Sequence, residues 1–357
     1  MRKIGINALY LIPGGVGGTE IYLRNLLAAL AEVDGENRYF VFTNRETGED
    51  LGPRRENFVY APQPVRAANR PWRIIFEQTG LVAEAKRRGI EVLFNPGFTA
   101  PWFAPCPSVT VFHDLQHKRH PEHFRWFDLP FWNALLWASA RRSAGLIAVS
   151  EATREDLRRY YGRDAAVIHH GVEREFFEIA GRREPERYVL CVSTLHPHKN
   201  LERLIRSFEI SEIPDMRLTI AGMRGFYGER VEETIARRGL GGRVRLTGWV
   251  PREELYELYR KAWAFVYPST FEGFGMPVLE AMAAGLPVAC SSIPPLREIA
   301  GDAVEFFDPL SEEEIARALR KLADGPPVES ARAREHAAGF TWERAARETL
   351  RCLLAAA

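Results

Sequence analysis

Two glutamates with seven residues between them mark the part of this chain whose residue types could do chemistry. Glu272 lies in a glycine-rich loop, and Glu280 lies in a helical pattern that begins at Pro277. Both carboxylates can accept hydrogen bonds from hydroxyl groups, one from a sugar and the other from a second set of hydroxyls. Glycines at 273–275 allow the backbone to approach anionic oxygens, and a proline in the first turn of a helix sacrifices no hydrogen bond. The segment therefore predicts a binding site for a sugar that carries phosphate.

A lysine in a second segment could neutralise that phosphate. Lys199 comes after a predicted strand at 188–193 and directly before a predicted helix at 201–208. A cation beside the amides of a helix N-terminus suits a diphosphate. Taken alone, the pattern is also compatible with an ordinary solvated lysine, so both interpretations stay open.

A histidine occupies a comparable position in the first half of the chain. His113 directly follows the predicted strand at 109–112. Side chains at the carboxyl end of a parallel strand emerge where ligands bind. A histidine there can exchange hydrogen bonds with substrate hydroxyls, although an isolated histidine is also commonly structural.

A glycine-rich turn follows the first predicted strand. Residues 13–20 include Gly17 and Gly18 and precede an apolar helical pattern. Such glycines allow a tight turn and place backbone amides at a helix N-terminus, which suits a phosphate or a sugar. The same glycines could serve only as a turn. No acidic residue stands where the dinucleotide-binding fingerprint needs one.

The elements that must position these residues are short β-branched strands that alternate with amphipathic helices along the whole chain. This pattern predicts an α/β protein with two doubly wound parallel sheets. The charged segment at 173–187 has the composition of a linker. The predicted domains are 1–172 and 186–338, and a final helix within 339–357 is expected to pack back on the first domain. We expect the chemistry in a cleft at the carboxyl ends of both sheets.

The composition excludes several classes of protein. The 357 residues carry 48 basic and 47 acidic side chains, which argues against a nucleic-acid-binding protein. The four cysteines form no Cys-x-x-Cys pair, so neither a zinc site nor a redox motif is predicted. No stretch of about 18 uninterrupted apolar residues occurs, and the N-terminal apolar run is interrupted by Asn7. We therefore expect a cytoplasmic protein without a cluster of metal ligands.

The whole pattern resembles the retaining GT-B glycosyltransferases, specifically glycosyltransferase family 4. The resemblance covers nearly the whole chain, and its most specific motif is the segment at 272–280. The motifs that carry it are the glycine-rich loop at 14–18, His113-Asp114, Ser150, Gly171-Val172, Pro197-x-Lys199-Asn200 and residues 272–280. It implies the GT-B fold, an acceptor held mainly by the first domain, a nucleotide-sugar donor held mainly by the second, and transfer with retention at the anomeric carbon.

The resemblance also implies a role for each matching position. Glu280 would bind the ribose hydroxyls, Glu272 the donor-sugar hydroxyls, and Lys199 the diphosphate. His113 would contact the donor sugar and stabilise the transition state. The other implied contacts are Gly17 and Gly18 near the phosphate and the acceptor, Gly248 and Val250 at the base, and Gly273, Phe274, Gly275, Met276 and Pro277 at the sugar and phosphates. This picture needs no metal, because a lysine and helix-end amides can stabilise the leaving diphosphate. It also assigns no enzyme nucleophile.

One departure from the family pattern concerns the diphosphate clamp. Many members pair an arginine with the lysine, but here Thr194 stands at the equivalent position and His198 precedes the lysine. Arg224, which follows the predicted strand at 217–221, is a candidate substitute or else a solvated surface arginine. A protonated His198 is the other candidate cation.

The resemblance favours a hexosyltransferase that assembles a surface polysaccharide or glycoconjugate. GDP-mannose is the favoured donor because the Gly-x-x-Gly-Phe segment at 222–226 and the Thr-Leu-x-Pro-x-Lys-Asn segment at 194–200 are similar to the mannosyltransferase branch. UDP-glucose is the close alternative, and in either case the donor is a co-substrate and no cofactor is expected. A nucleotide-sugar 2-epimerase shares the architecture, but the paired glutamates disfavour it. A non-catalytic sugar-nucleotide-binding protein would keep the fold without the reaction.

Aromatic and basic residues are concentrated at 117–137. Such a segment could rest on the inner face of a membrane near a lipid-linked acceptor. It could equally form a helix packed into the first domain with an aromatic lead-in. The sequence leaves both interpretations open.

Overall fold

The computed structural model describes residues 1–15, 17–325 and 331–357. Val16 of the predicted glycine-rich turn and residues 326–330 of the predicted second domain lie outside the described residues. The chain divides into two compact units, which we call unit 1 (Met1–Gly171 with Thr341–Ala357) and unit 2 (Val172–Phe340).

In the described part of unit 1, seven parallel strands form one sheet in the order β3-β2-β1-β4-β5-β6-β7. The strands are β1 (Lys3–Asn7), β2 (Arg38–Thr43), β3 (Phe58–Pro62), β4 (Val92–Asn95), β5 (Ser108–Phe112), β6 (Gly145–Ala148) and β7 (Ala166–Val167). Strands β4 and β5 are buried at every position, as expected at the centre of a parallel sheet covered by helices. The strand order reverses between β1 and β4, where ligands bind in such sheets.

The helices that connect these strands correct one sequence prediction. They are α1 (Gly18–Val33), α2 (Arg70–Gln78), α3 (Gly80–Arg88), α4 (Gln116–Arg119), α5 (Leu129–Arg142) and α6 (Glu151–Tyr161). The pattern predicts a single helix over 72–88, but the structure has two helices there. Thr79, with a φ of −125°, leaves helical geometry, and its hydroxyl donates to the carbonyl of Ile75 at 2.8 Å.

Unit 2 is built on a second parallel sheet. Its described residues form six strands in the order β10-β9-β8-β11-β12-β13. The strands are β8 (Tyr188–Val192), β9 (Arg217–Ala221), β10 (Val244–Gly248), β11 (Ala264–Tyr267), β12 (Val288–Ser291) and β13 (Glu305–Phe307). The order reverses between β8 and β11, so the loops that follow these two strands meet at the same edge. The predicted α/β class is confirmed.

The segment that reads as a linker begins with a helix. The helices of unit 2 are α7 (Arg174–Ala180), α8 (Leu201–Ile210), α9 (Gly228–Arg237), α10 (Arg252–Lys261), α11 (Met276–Ala283), α12 (Pro294–Ala300), α13 (Glu312–Asp324) and α14 (Ala331–Ala337). Phe176 of α7 is fully buried, and its ring meets Tyr256 and Tyr259 of α10 edge-on at 5.1 and 5.0 Å. The linker prediction was wrong there because two buried apolar side chains, Phe176 and Ile179, suffice to anchor a short helix in a segment rich in charges.

The last helix, α15 (Trp342–Ala356), belongs to unit 1 and contacts α1. The ring of Tyr22 in α1 lies 6.0 Å from that of Trp342. Gly171 is required at this contact, because a Cβ there would meet the backbone nitrogen of Trp342 at 2.1 Å. Among the described residues, no helix is both long enough and apolar enough to cross a bilayer.

Candidate functional site

The loops after β8 and β11 bring a lysine and a glutamate together. The ammonium of Lys199 lies 2.6 Å from Oε1 of Glu272 and donates to the hydroxyl of Tyr267 at 2.9 Å. The two charged side chains are 14% and 11% exposed, so they are largely withdrawn from water and still reachable. At this edge of the sheet the pair offers a cation for an anionic group and a carboxylate for hydroxyl groups.

Backbone contacts between the same two loops fix this pair in place. The chain turns through a 3₁₀ segment, Pro197–Lys199, and Asn200 then adopts a left-handed conformation with a φ of 59° before α8. The carbonyl of His198 accepts from the backbone nitrogen of Thr270 at 2.7 Å and from the hydroxyl of Ser269 at 3.0 Å. The Asn200 side-chain amide donates to the carbonyl of Pro268 at 3.1 Å. The lysine loop is therefore tied to the glutamate loop on both sides of Lys199.

Glu280 lies inside α11 and is almost completely buried. Its carboxylate accepts from the Arg252 guanidinium at 3.2 Å and from the Tyr259 hydroxyl at 3.0 Å. Burial raises the pKa of Glu280, and the charge of Arg252 only partly offsets that effect. The structure thus holds Glu280 with two donors and at a higher pKa than an exposed carboxylate.

Arg252 is a residue of this cluster that the sequence analysis missed. It also lies 2.7 Å from Glu173, whose carboxylate accepts from the Tyr256 hydroxyl at 2.6 Å. Burial alone would lower the pKa of Arg252, but the charges of Glu280 and Glu173 raise it above its usual range. Arg252 opens a run of charged residues that is typical of a solvated helix face, and Glu173 falls in the predicted linker. No local pattern signals that the two meet.

The turn into α11 requires glycine at one position. Gly275 has a φ of 109°, and a Cβ there would lie 2.4 Å from Cδ2 of Leu296. Met276 and Pro277 then form the first turn of the helix. The other two residues predicted to bind the donor through this loop, Gly273 and Phe274, precede it, and Phe274 is buried.

A third loop, after β9, lies against the lysine loop. Gly222 is required there, because a Cβ would meet the carbonyl oxygen of Ser193 at 2.1 Å, next to Thr194. The structure places Arg224 on the surface in a bidentate pair with Glu232, at 2.7 and 2.9 Å. Its guanidinium is therefore engaged by a carboxylate of α9, and its predicted role in the diphosphate clamp stays a prediction.

The two residues predicted to contact the base lie at the end of β10. Gly248 has a φ of 72°, and its carbonyl accepts from the backbone nitrogen of Gly222 at 3.0 Å. Nothing lies within 4 Å of a Cβ built at Gly248, so the backbone there is open on that side. Val250 follows in the short connection to α10.

In unit 1, the structure places His113 at the end of β5 with a defined tautomer. Its Nε2 lies 2.8 Å from the carbonyl oxygen of Pro96, and a carbonyl can only accept, so Nε2 carries the proton. Nδ1 is then the acceptor of the ring. The ring meets Tyr22 at 4.9 Å and Phe98 at 5.1 Å, and burial lowers the pKa of His113 to about 4. His113 is therefore neutral at physiological pH.

Phe98 beside it is another residue that the sequence analysis missed. Its φ of 70° is rare for a bulky side chain and marks a strained turn after β4. The predicted glycine-rich turn lies after β1, where Gly17 caps α1 and Gly18 is the first residue of that helix. The Glu20 carboxylate closes this turn by accepting from the backbone nitrogen of Gly14 at 2.7 Å.

One group of side chains could offer three metal-ligand atoms, which the sequence analysis did not anticipate. In the part of the chain that the structure describes, one ligand atom each from His120, Glu122 and His123 lie within 4.8 Å of one another. The expectation that no cluster of metal ligands occurs is corrected to this extent. The three residues stand within four consecutive positions, and the short 3₁₀ segment Pro121–His123 brings their side chains together.

Comparison with known families identifies two matching profiles. Residues 172–339 match the family described as "Glycosyl transferases group 1", and residues 16–176 match "Glycosyltransferase Family 4". The chain is 30% identical over 262 residues to "O-antigen chain mannosyltransferase B" of Escherichia coli, an alignment that spans 68% of this chain and 69% of that protein. It is 29% identical over 222 residues to "O-antigen chain mannosyltransferase RfbU" of Salmonella typhimurium, spanning 61% of each chain.

Solved structures share the fold at lower sequence identity. Sucrose-phosphate synthase (tll1590) from Thermosynechococcus elongatus superimposes with a TM-score of 0.80 at 19% identity, covering 100% of both chains. Anabaena Alr3699/HepE, in a complex with UDP and glucose, superimposes with a TM-score of 0.75 at 19% identity, covering 99% of this chain and 100% of that one. The predicted two-domain GT-B fold is confirmed by these likenesses.

Proposed function

The chain belongs to the GT-B glycosyltransferases, and from this premise we propose that it transfers a mannosyl group from GDP-mannose to a hydroxyl of a glycan or glycolipid, with retention at the anomeric carbon. The enzyme would act in the assembly of a surface polysaccharide or glycoconjugate. The mannosyl donor is supported by the names of the E. coli and Salmonella relatives.

A single observation carries the proposal. Lys199 and Glu272 form a 2.6 Å pair at the point where the strand order of the second sheet reverses, and Glu280 lies on the helix that follows the Glu272 loop. A nucleoside diphosphate sugar has three groups to match: a diphosphate for Lys199, sugar hydroxyls for Glu272 and ribose hydroxyls for Glu280. A binding site for a neutral ligand would not need a cation that is largely withdrawn from water.

In the proposed reaction the acceptor oxygen forms a bond to C1 of the donor sugar, and the bond between C1 and the phosphate oxygen breaks. The proton of the acceptor hydroxyl passes to the departing phosphate oxygen on the same face, and the nucleoside diphosphate leaves. Negative charge grows on the diphosphate as that bond breaks. Lys199 and the amides at the start of α11 stabilise it in the transition state.

The neutral His113 has a defined task in this proposal. Its Nδ1 lone pair accepts a hydrogen bond from a hydroxyl of the donor sugar, while the Pro96 carbonyl fixes the ring through Nε2. Because the ring stays uncharged above its pKa of about 4, it adds no positive charge that would oppose a developing oxocarbenium ion. His113 therefore orients the sugar and does not act as a general acid.

A second donor is favoured by a separate observation. The Anabaena neighbour is described in complexes with UDP and with UDP-glucose, so a uracil base and a glucosyl group are the alternative. In both cases we propose that the main chain near Gly248 and Val250 contacts the base. The two donors differ in the base, which makes the choice measurable.

Thermal unfolding of the full chain with GDP, UDP, ADP and their hexose conjugates tests the proposal. A ligand at 100 times its dissociation constant adds roughly 2.7 kcal/mol to the free energy of unfolding, so its midpoint rise is measurable. We expect a shift with GDP and GDP-mannose only. A shift confined to uracil nucleotides would replace the mannosyl donor by a UDP-hexose, and no shift with any nucleotide would overturn the donor assignment.

Two further measurements complete the test. Glu280→Gln is expected to abolish the shift, whereas Glu186→Gln, at an exposed carboxylate of the same unit, leaves it unchanged. The sugar is then transferred to an acceptor that already carries mannose, and NMR determines the anomeric configuration of the newly formed bond. Retention requires the anomeric configuration of the donor in the product, and the opposite configuration would refute it.

A further inference from the structure

Exposed aromatic side chains are concentrated on one part of unit 1. Among the described residues, fourteen large hydrophobic side chains are exposed, and eight of them belong to α2, the loop at 100–104 and the segment 124–142. These eight side chains, between 41% and 81% exposed, are Trp72, Ile75, Trp102, Phe103, Trp126, Phe127, Phe131 and Trp137. We call these residues, with the arginines that accompany them, the aromatic surface.

Hydrogen bonds show that the three segments are neighbours. The backbone nitrogen of Trp102 donates to the side chain of Gln78 in α2 at 2.8 Å. Two residues earlier, the backbone nitrogen of Ala100 donates to the hydroxyl of Ser139 in α5 at 3.0 Å. The loop therefore bridges the two helices.

Helix α5 shows why these side chains are not part of the core. Its buried positions include Leu135, Leu136 and Ala140, which already supply the apolar face that the sheet needs. Phe131 and Trp137 lie on the solvent side of the same helix and are 51% exposed each. The second interpretation of the sequence, a helix packed into the first domain, therefore accounts for one face of α5 and leaves the other without an occupant.

The exposed charges of the aromatic surface are all positive. In the segments 70–78, 96–104 and 124–142, the acidic residues are Glu77, which is buried, and Asp128, which is half-buried. The exposed basic residues are Arg70, Arg125, Arg141 and Arg142, each with its guanidinium 5.1 to 6.0 Å from the centroid of an aromatic ring of the surface or of Trp132.

Exposed apolar side chains concentrated in neighbouring segments in this way mark an interaction site. Tryptophan is enriched at the headgroup level of bilayers, because its ring is apolar at one end and polar at the other. Arginine binds the phosphates of anionic lipids, and these described segments contribute no exposed carboxylate that would repel them. Aromatic residues interleaved with arginines fit a negatively charged lipid interface better than an aqueous one.

We propose that the aromatic surface docks unit 1 onto the headgroup region of an anionic bilayer. Trp126 and Phe127 enter the interface, and the four arginines bind lipid phosphates. The proposal does not depend on the transfer reaction, because it concerns binding to lipid without donor or acceptor. It explains why a chain whose described helices cannot cross a membrane keeps large aromatic side chains in water.

Flotation of the full-length protein with lipid vesicles tests the proposal. One set of vesicles contains phosphatidylcholine only, and the other contains phosphatidylcholine with phosphatidylglycerol. We expect flotation with the anionic vesicles, and weaker flotation as ionic strength rises because salt screens the arginine contacts. Trp126→Ser with Phe127→Ser is expected to lower the partition coefficient about tenfold or more, because two exposed aromatic rings no longer enter the interface.

The chain offers a matched control. Phe226→Ser with Trp249→Ser also removes one exposed phenylalanine and one exposed tryptophan, but from unit 2. This variant is expected to float like the wild type, and equal thermal midpoints for both variants would show that each is folded. No flotation of the wild type, or equal losses in the two variants, would overturn the proposal. A self-association that the Trp126/Phe127 variant abolishes, without any vesicle binding, would also overturn it and make the surface a protein interface.

Discussion

The ammonium of Lys199 and the carboxylate of Glu272 are each other's counter-ion, 2.6 Å apart and largely withdrawn from water. Each side chain therefore already has a charged partner before a ligand binds. A diphosphate that approaches Lys199 must share that cation with Glu272, and this competition allows the two roles to be separated by mutation.

Replacing the lysine removes the cation and leaves the carboxylate. We expect Lys199→Met to lower kcat/KM by about 10²- to 10³-fold, the range seen when one group that stabilises developing charge is lost. Steady-state kinetics of nucleotide release with a glycan acceptor measures the effect. Lys261→Met, at an ammonium 3.6 Å from Glu186 on the same unit, is the control. Similar activities for the two variants would contradict the assignment of Lys199.

Replacing the glutamate is expected to act in two opposite directions. Glu272→Gln releases Lys199 from its counter-ion, so GDP without a sugar binds as tightly as to the wild type or more tightly. The intact nucleotide sugar binds more weakly, because the amide does not replace a charged acceptor for the sugar hydroxyls. Isothermal titration with both ligands checks this split. A parallel loss of affinity for both would show that Glu272 mainly supports the fold of its loop.

Arg252 stabilises a carboxylate that burial penalises. We expect Arg252→Met to lower the free energy of unfolding by about 3–5 kcal/mol, because Glu280 then keeps a buried charge without its cation. Arg238→Met, which breaks an exposed pair with Glu209, is expected to change it by less than about 1 kcal/mol. Urea unfolding at pH 7 measures both variants.

The pH dependence of that loss follows from the raised pKa of Glu280. In the folded chain the Glu280 carboxyl binds a proton more readily than in the unfolded chain. The ionised carboxylate therefore lowers the free energy of unfolding above the ordinary carboxyl pKa, and this effect disappears as pH falls below that pKa. Removing Arg252 raises the pKa further and enlarges the penalty at neutral pH. The difference between wild type and Arg252→Met is therefore expected to shrink between pH 7 and pH 5. A constant difference would show that lost packing dominates.

The candidate site residues, which stand in recognisable local motifs, were easier to predict than the residues that contact them. Lys199, Glu272 and Glu280 stand in segments whose glycines, prolines and strand-to-helix order are visible in the sequence. Arg252 and Glu173 are 79 positions apart and meet only because α7 packs on α10. Nothing in a local pattern encodes such a meeting, because it depends on the packing of two whole helices.

The fold was predictable for a similar reason. Alternating apolar strands and amphipathic helices predict the two sheets, and the strands are clearest where they are buried on both faces, as in β5 and β11. Short helices such as α7 and α14, with seven residues each, give too little periodicity to be found. At Thr79 the break between helices lies directly before Gly80, and the periodicity over 72–88 alone did not take that glycine into account.

Gly275 is expected to tolerate no side chain. Gly275→Ala would force a Cβ to 2.4 Å from Leu296 and keep an alanine at a φ of 109°, so we expect a loss of about 2–4 kcal/mol in unfolding free energy and of donor binding. Gly241→Ala, with nothing within 4 Å of its Cβ, is the matched control and is expected to be near neutral. Urea unfolding and GDP titration of both variants give the answer, and equal stabilities would show that the α11 turn relaxes freely.

His113 supplies a prediction about acid stability. Burial lowers its pKa to about 4 in the folded chain, whereas an unfolded histidine titrates near its ordinary value of 6.5. Between these two values the unfolded chain binds more protons than the folded one, so stability is full above pH 6.5 and is lost as pH falls toward 4. The contribution of His113 to this loss between pH 7 and pH 5 is on the order of 2 kcal/mol.

His113→Gln removes the titration and keeps a polar side chain of similar reach. We expect its free energy of unfolding, measured in urea at pH 7, 6 and 5, to fall less steeply than that of the wild type. His170, whose ring lies 5.6 Å away and whose pKa burial also lowers, retains its own slope in both proteins. Parallel curves would show that folding does not lower the pKa of His113. The ring would then be protonated over part of the range from pH 7 to pH 5, where its Nδ1 could not accept the hydrogen bond from a sugar hydroxyl on which its proposed role depends.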